Sequence, residues 1–137
     1  MEDAATLKLM TTRDIKKSLK EAPDANTIEK IKEITKHIND KKGRDIVILE
    51  LFKLTSFTDF FIICTGENSP HINAMADEVE MNLRKNNEKP LSITGHTLGQ
   101  WILMDYNDII VHIFDETTRF RYNLEALWLD AERVTFD

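Results

Sequence analysis

The stretch WILMDYNDIIVHIF, Trp101 to Phe114, decides the fold. Two short apolar runs meet at Tyr106-Asn107, and Asn tolerates the positive φ that a two-residue hairpin turn needs. The pattern predicts paired strands over 100–105 and 108–114. With the turn at Tyr106-Asn107, Asp105 faces Asp108, Leu103 faces Ile110 and Trp101 faces His112. Side chains alternate along a strand, so Trp101, Leu103, Asp105, Ile110, His112 and Phe114 share one face. Ile102, Met104, Ile109, Val111 and Ile113 share the other, which is wholly apolar and belongs under helices. The first face mixes Trp and His with carboxylate. Either another molecule covers it, or the end of the chain folds over it through Leu124, Leu127 and Trp128. The pattern leaves both open.

Working outward, Asp45 to Phe52 (DIVILELF) and Asp59 to Thr65 (DFFIICT) are near-continuous apolar runs, as expected of strands inside a sheet. Between these strands and the hairpin, Ser69 and Pro70 read as the start of a helix over 70–86. Its apolar stripe is Ile72, Met75, Ala76, Val79 and Leu83. Leu91 to Thr94 reads as a further short strand. Upstream, Asn26 and Glu29 suit a helix start, and Ile28, Ile31, Ile34 and Ile38 recur at helical spacing. That helix runs over about 27–42, with Gly43 suited to a left-handed cap. Downstream, Asn123 caps a last helix reaching about Ala131. The order is α/β (α+β), a mixed five-stranded sheet flanked by helices. Residues 1–26 read as an N-terminal extension, either a loosely held arm or a short helix around 12–21 ended by Pro23. Residues 27–137 read as one domain.

Composition narrows the function. The 137 residues suffice for one core and not two. The single cysteine, Cys64, rules out an intramolecular disulfide and any multi-cysteine zinc site. No apolar stretch approaches the roughly 18 residues of a membrane span, and no leader pattern follows Met1, so cytoplasm is the expected compartment. Residues 1–42 hold 10 Lys/Arg against 8 Asp/Glu, whereas residues 43–137 hold 8 against 16. Nucleic-acid binders present the opposite sign. A basic partner suits the main domain, and direct nucleic-acid binding is not expected of it.

Catalytic patterns are sparse. No phosphate-binding glycine loop, HExxH or GxSxG occurs, and the four histidines lack ligand spacing. Cys64 sits in an apolar strand and reads as a buried thiol, not a nucleophile. Asp105 and Asp108 flank the hairpin turn, where carboxylates serve a tight turn as readily as a divalent metal. The junction Thr65-Gly66-Glu67-Asn68-Ser69 could cradle an anion, but Ser69 can cap the same N–H groups and Glu67 would repel phosphate. No cofactor or metal is expected.

The same residues carry a family resemblance. Residues 45–66 resemble the DIV-L-L…SSFTDYFVIATG block of the Iojap family of ribosomal silencing factors (RsfS). Asn68 to Glu80 resembles the family's IADEVE helix, Trp101 to Phe114 its W-V-L-L-D-Y-G-D-VVVHVF hairpin, and Arg121 to Trp128 its closing LE-LW segment. The resemblance spans about 27–132. It implies a nucleotidyltransferase-like fold without activity, since the Gly-Ser loop and paired metal-binding aspartates of active nucleotidyltransferases are missing. It also implies binding to the large ribosomal subunit through its fourteenth ribosomal protein, hindrance of subunit joining, repression of translation when nutrients are short, and homodimers when free. Carried over by position, the partner-binding residues are Trp101, Leu103, Asp105, Tyr106, Asp108, Ile110, His112 and Phe114. Asn107 departs from the family Gly but can hold the same backbone conformation. The rival expectation is a nucleotide-binding or nucleotidyltransferase-type enzyme using Ser69, Asp105 and Asp108.

Overall fold

The two apolar runs form the middle of the sheet. In the computed structural model, which describes residues 22–136, β1 (Arg44–Glu50) and β2 (Phe60–Gly66) pair antiparallel. Every residue of β2 is buried, as its unbroken apolar sequence requires of a strand covered on both faces. The preceding helix α1 (Ala25–Asp40) and the following helix α2 (Ser69–Arg84) lie on one side. Then come β3 (Ser92–Thr94), β4 (Trp101–Asp105), β5 (Ile109–Asp115), the short helices α3 (Glu116–Tyr122) and α4 (Leu124–Leu127), and β6 (Glu132–Val134).

The sheet is mixed and has the order β3-β4-β5-β2-β1-β6. Only β2 and β5 run parallel, and α2 lies on the long connection that such a pair demands. Among the described residues six strands replace the expected five. The last helix stops at Leu127 and does not reach Ala131, because the chain turns back and pairs Glu132–Val134 with Ile48–Glu50 of β1. Phe136 then sets its ring edge-on against Phe60, with centroids 5.9 Å apart. The extra helix α3 follows from Asp115, whose carboxylate accepts the Thr118 N–H at 2.7 Å as an N-cap. The expected short helix around 12–21 lies outside the described residues.

Helix ends also differ in detail. Asp24, not Asn26, stands at the N-cap of α1. Asn68, not Ser69, caps α2, accepting the His71 N–H at 3.0 Å. At the end of α1 the left-handed residue is Lys42, φ 63°, and not Gly43. Gly43 donates to the Ile38 carbonyl and Lys42 to that of Asn39, both at 2.9 Å, which completes a Schellman cap. Gly43 is needed for a different reason: a Cβ there would collide with the Ile38 side chain and lie 2.8 Å from Met75 Sδ.

The hairpin forms with its turn one residue later than expected. Tyr106 donates to the Ile109 carbonyl at 2.8 Å, so the turn residues are Asn107 and Asp108, with Asn107 at φ 77°. Trp101 pairs with Phe114, Leu103 with His112 and Asp105 with Ile110. The cause is visible on both sides of the turn. Asp105 accepts the Asn107 N–H at 2.7 Å. Asp108 turns away to α1, where Lys30 Nζ lies 3.0 Å from its carboxylate and the Thr27 hydroxyl donates at 2.6 Å. Glu88, 3.3 Å from the same ammonium, completes the clamp. The register differs from expectation by two residues, and the side-chain period is two, so both faces keep their expected members.

The helix-side core joins Ile31, Ile34 and Ile38 of α1 and Ile72, Met75, Val79 and Leu83 of α2 to Ile102, Met104, Ile109, Val111 and Ile113. Cys64 lies in it, and burial pushes its thiol up to about 12, which removes the thiolate a nucleophile needs. No helix among the described residues is long and apolar enough to cross a membrane.

Candidate functional site

The far side of the β4–β5 hairpin is only half covered. Strand alternation gathers Trp101, Leu103, Asp105, Ile110, His112 and Phe114 there, as the sequence predicts. Tyr106 and Asp108 stand apart from them. Tyr106 is buried in the helix-side core, where burial, and secondarily the Glu80 carboxylate, raises its phenol above the usual range. Asp108 belongs to the Lys30 clamp.

The six gathered residues form two layers. Ile110, His112 and Phe114 are buried and make a floor with Leu49, Leu51, Phe61, Ile63 and Leu124. Trp101, Leu103 and Asp105 are partly exposed and make a rim. Of the two ways of covering the face, the chain's own end supplies one in part. Leu124 and Trp128 pack over one end, where Trp128 meets Phe61 edge-on at 6.0 Å and Phe57 at 6.0 Å. Leu127, expected to help, points to solvent. The other end stays open.

Trp101 dominates that open end. Its ring stacks on Phe114 at 4.9 Å and 28°, and Tyr122 lies 4.8 Å away on the indole. Tyr122 is about half exposed, at 52%. The sequence pattern does not reveal it, because its place beside Trp101 arises only when α3 folds back on the sheet. Phe120 and Leu129, also in the C-terminal segment, are exposed as well.

The indole N–H of Trp101 donates to His112 Nδ1 at 3.1 Å. An accepting Nδ1 carries no proton, so the neutral ring holds its proton on Nε2. Phe61 stands edge-on to the imidazole at 4.5 Å. Burial lowers the His112 pKa from its ordinary 6.5 to about 3, so the ring is neutral at physiological pH. The unfolded chain protonates this ring below about 6.5 and the folded chain only near 3, so stability present above 6.5 is lost as pH falls through that window. Each pH unit removes at most about 1.4 kcal/mol per proton. Urea titrations at about pH 7 and about pH 5 should show the parent losing about 2 kcal/mol more than His112→Asn does.

The other candidate chemistry dissolves in the geometry. At the β2–α2 junction, Glu67 N–H donates to His71 Nδ1 at 2.9 Å, and the His71 N–H goes to Asn68. The chain's own side chains thus take donors that an anion would need. Asp105 and Asp108 are held by different partners on opposite sides of the turn. Among the described residues no group of three His, Cys, Asp or Glu is placed to hold a metal.

The family model described as ribosomal silencing factor during starvation (RsfS) matches residues 24–137. The chain belongs to the RsfS family. Ribosomal silencing factor RsfS of Halalkalibacterium halodurans is 32% identical over 100 residues, covering 73% of this chain and 86% of that protein. A mouse protein named mitochondrial assembly of ribosomal large subunit protein 1 is 26% identical over 94 residues, 66% of this chain and 41% of its own length. A crystal structure of a Chromobacterium violaceum protein superposes with a TM-score of 0.72 at 32% identity, covering 79% of this chain and 89% of that one. The family's role is ribosome silencing, and these relatives are named as silencing or assembly factors, not as enzymes.

Proposed function

We propose that this chain silences ribosomes by docking on the large subunit through its fourteenth ribosomal protein. The bound chain sterically blocks joining of the small subunit and so represses translation. The observation that carries this reading is the open aromatic rim. Trp101 is stacked on Phe114 and flanked by Tyr122 yet partly exposed, the setting in which a few aromatic anchors supply most of a binding energy. Trp101, Leu103 and Tyr122 make the contact, while Ile110, His112 and Phe114 support it from below. Tyr106 and Asp108 fix the hairpin from the helix side. The excess of 16 Asp/Glu over 8 Lys/Arg in residues 43–137 favours a basic protein over RNA. The name of the mouse relative, which refers to the large subunit, points the same way.

No bond is made or broken, and neither metal nor cofactor takes part. The free chain is a homodimer in the cytoplasm, built on the 27–137 domain with residues 1–26 as an extension. Sedimentation with purified subunits tests the docking. The chain should travel with large subunits and not with small ones, and an acidic chain that pellets with neither would overturn the reading.

A further inference from the structure

We propose that His112 is a positioning residue of the docking face: its Nδ1 lone pair fixes the orientation of the Trp101 indole, and the partner touches the indole but not the imidazole. The inference rests on the docking reading above and assigns His112 a part within it.

Three observations carry it. First, His112 is only 3% exposed, beneath Trp101 and beside Phe61 and Phe114, so no partner reaches it without rearranging the face. Second, its Nε2 is buried with no hydrogen-bond partner among the described residues. A buried donor left unpaired costs stability. A phenylalanine in this aromatic floor would avoid that cost, so stability alone does not explain an imidazole here. The benefit must lie at the other ring nitrogen, which accepts the 3.1 Å bond from the Trp101 indole. Third, Trp101 needs such a bond. Phe114 stacks on its ring and Tyr122 packs against it at a tilt of 46°. Stacking sets the plane of a ring but leaves it free to slide or flip within that plane, since the attraction is spread over the whole face. A directional bond at the pyrrole edge removes that freedom and decides which edge meets the partner. Fixing an anchor before binding lowers the ordering cost of association.

The test compares His112→Phe, which keeps an aromatic ring without the acceptor, with His112→Asn, whose carbonyl oxygen restores an acceptor near the Nδ1 position. Both are made in the full chain. Three quantities are read: the Trp101 indole N–H resonance, assigned with Trp101→Phe because Trp128 is the other tryptophan; the thermal midpoint; and binding to large subunits. His112→Phe should fold with an unchanged or higher midpoint, lose exchange protection at the Trp101 indole, and bind roughly tenfold more weakly. His112→Asn should recover protection and bind within roughly threefold of the parent. The parent gives a check that needs no variant: its Trp101 N–H should exchange slowly although the ring is partly exposed. Rapid exchange overturns the inference. So does parental binding by a well-folded His112→Phe, which leaves the docking reading standing. Equal losses in both variants with a lowered midpoint would make His112 a packing residue only. If the parent itself fails to bind large subunits, the docking reading falls and takes this inference with it.

Discussion

Trp101→Ala should weaken binding to large ribosomal subunits by about 100-fold, an effect of about 2.7 kcal/mol. A tryptophan at the centre of an interface commonly loses this much on truncation, because it buries a large rigid area at small entropic cost. Here the ring is already held by Phe114, Tyr122 and His112, so little ordering remains to be done on binding. The fold should survive. Trp101 lies at the open end of the smaller core, partly exposed, and the helix-side core does not include it. A stability loss of about 1–2 kcal/mol is expected, measurable by urea titration. Trp101→Phe keeps the stack and should fall between parent and alanine. Equal affinity for parent and Trp101→Ala would place the contact elsewhere on the molecule.

Phe114→Ala should be the most damaging single change to stability in this region, at about 3–5 kcal/mol. Phe114 is fully buried, stacks under Trp101 and lies parallel to His112. Its removal opens a cavity under the rim, and a loss of that size is a large fraction of the roughly 5–15 kcal/mol that holds a domain together. Equilibrium unfolding in urea at about 25 °C reads it directly. Phe114→Leu fills most of the volume and should cost less than about 2 kcal/mol. It removes the aromatic floor all the same, so its binding should weaken more than its stability does. A Phe114→Ala protein as stable as the parent would contradict the buried placement of this ring.

Much of this arrangement was legible in the sequence. The separation of Ile102, Met104, Ile109, Val111 and Ile113 from Trp101, Leu103 and His112 rests on a period of two, so it survived a hairpin register that differed by two residues. The central strands declared themselves as short β-branched runs, and α2 by its stripe. The turn itself was not legible, because Asp108 is drawn toward Lys30 and Thr27, about 80 positions away in the chain. Nor was β6, which becomes a strand by pairing with the free edge of β1. The set of six face residues was correct as a set, but its division into floor and rim was hidden. Burial there depends on Leu124 and Trp128 folding back, and the same return brings Tyr122 to Trp101. The family followed from the order of its sequence blocks, and the match over residues 24–137 bears it out.

The most direct test of the account is subunit joining. Purified large subunits are mixed with the chain, small subunits are added, and joined ribosomes are followed by light scattering. The account predicts that the parent suppresses joining in proportion to the fraction of large subunits it occupies, and that Trp101→Ala at the same concentration leaves joining nearly untouched. Undiminished joining on large subunits saturated with the parent chain would contradict it.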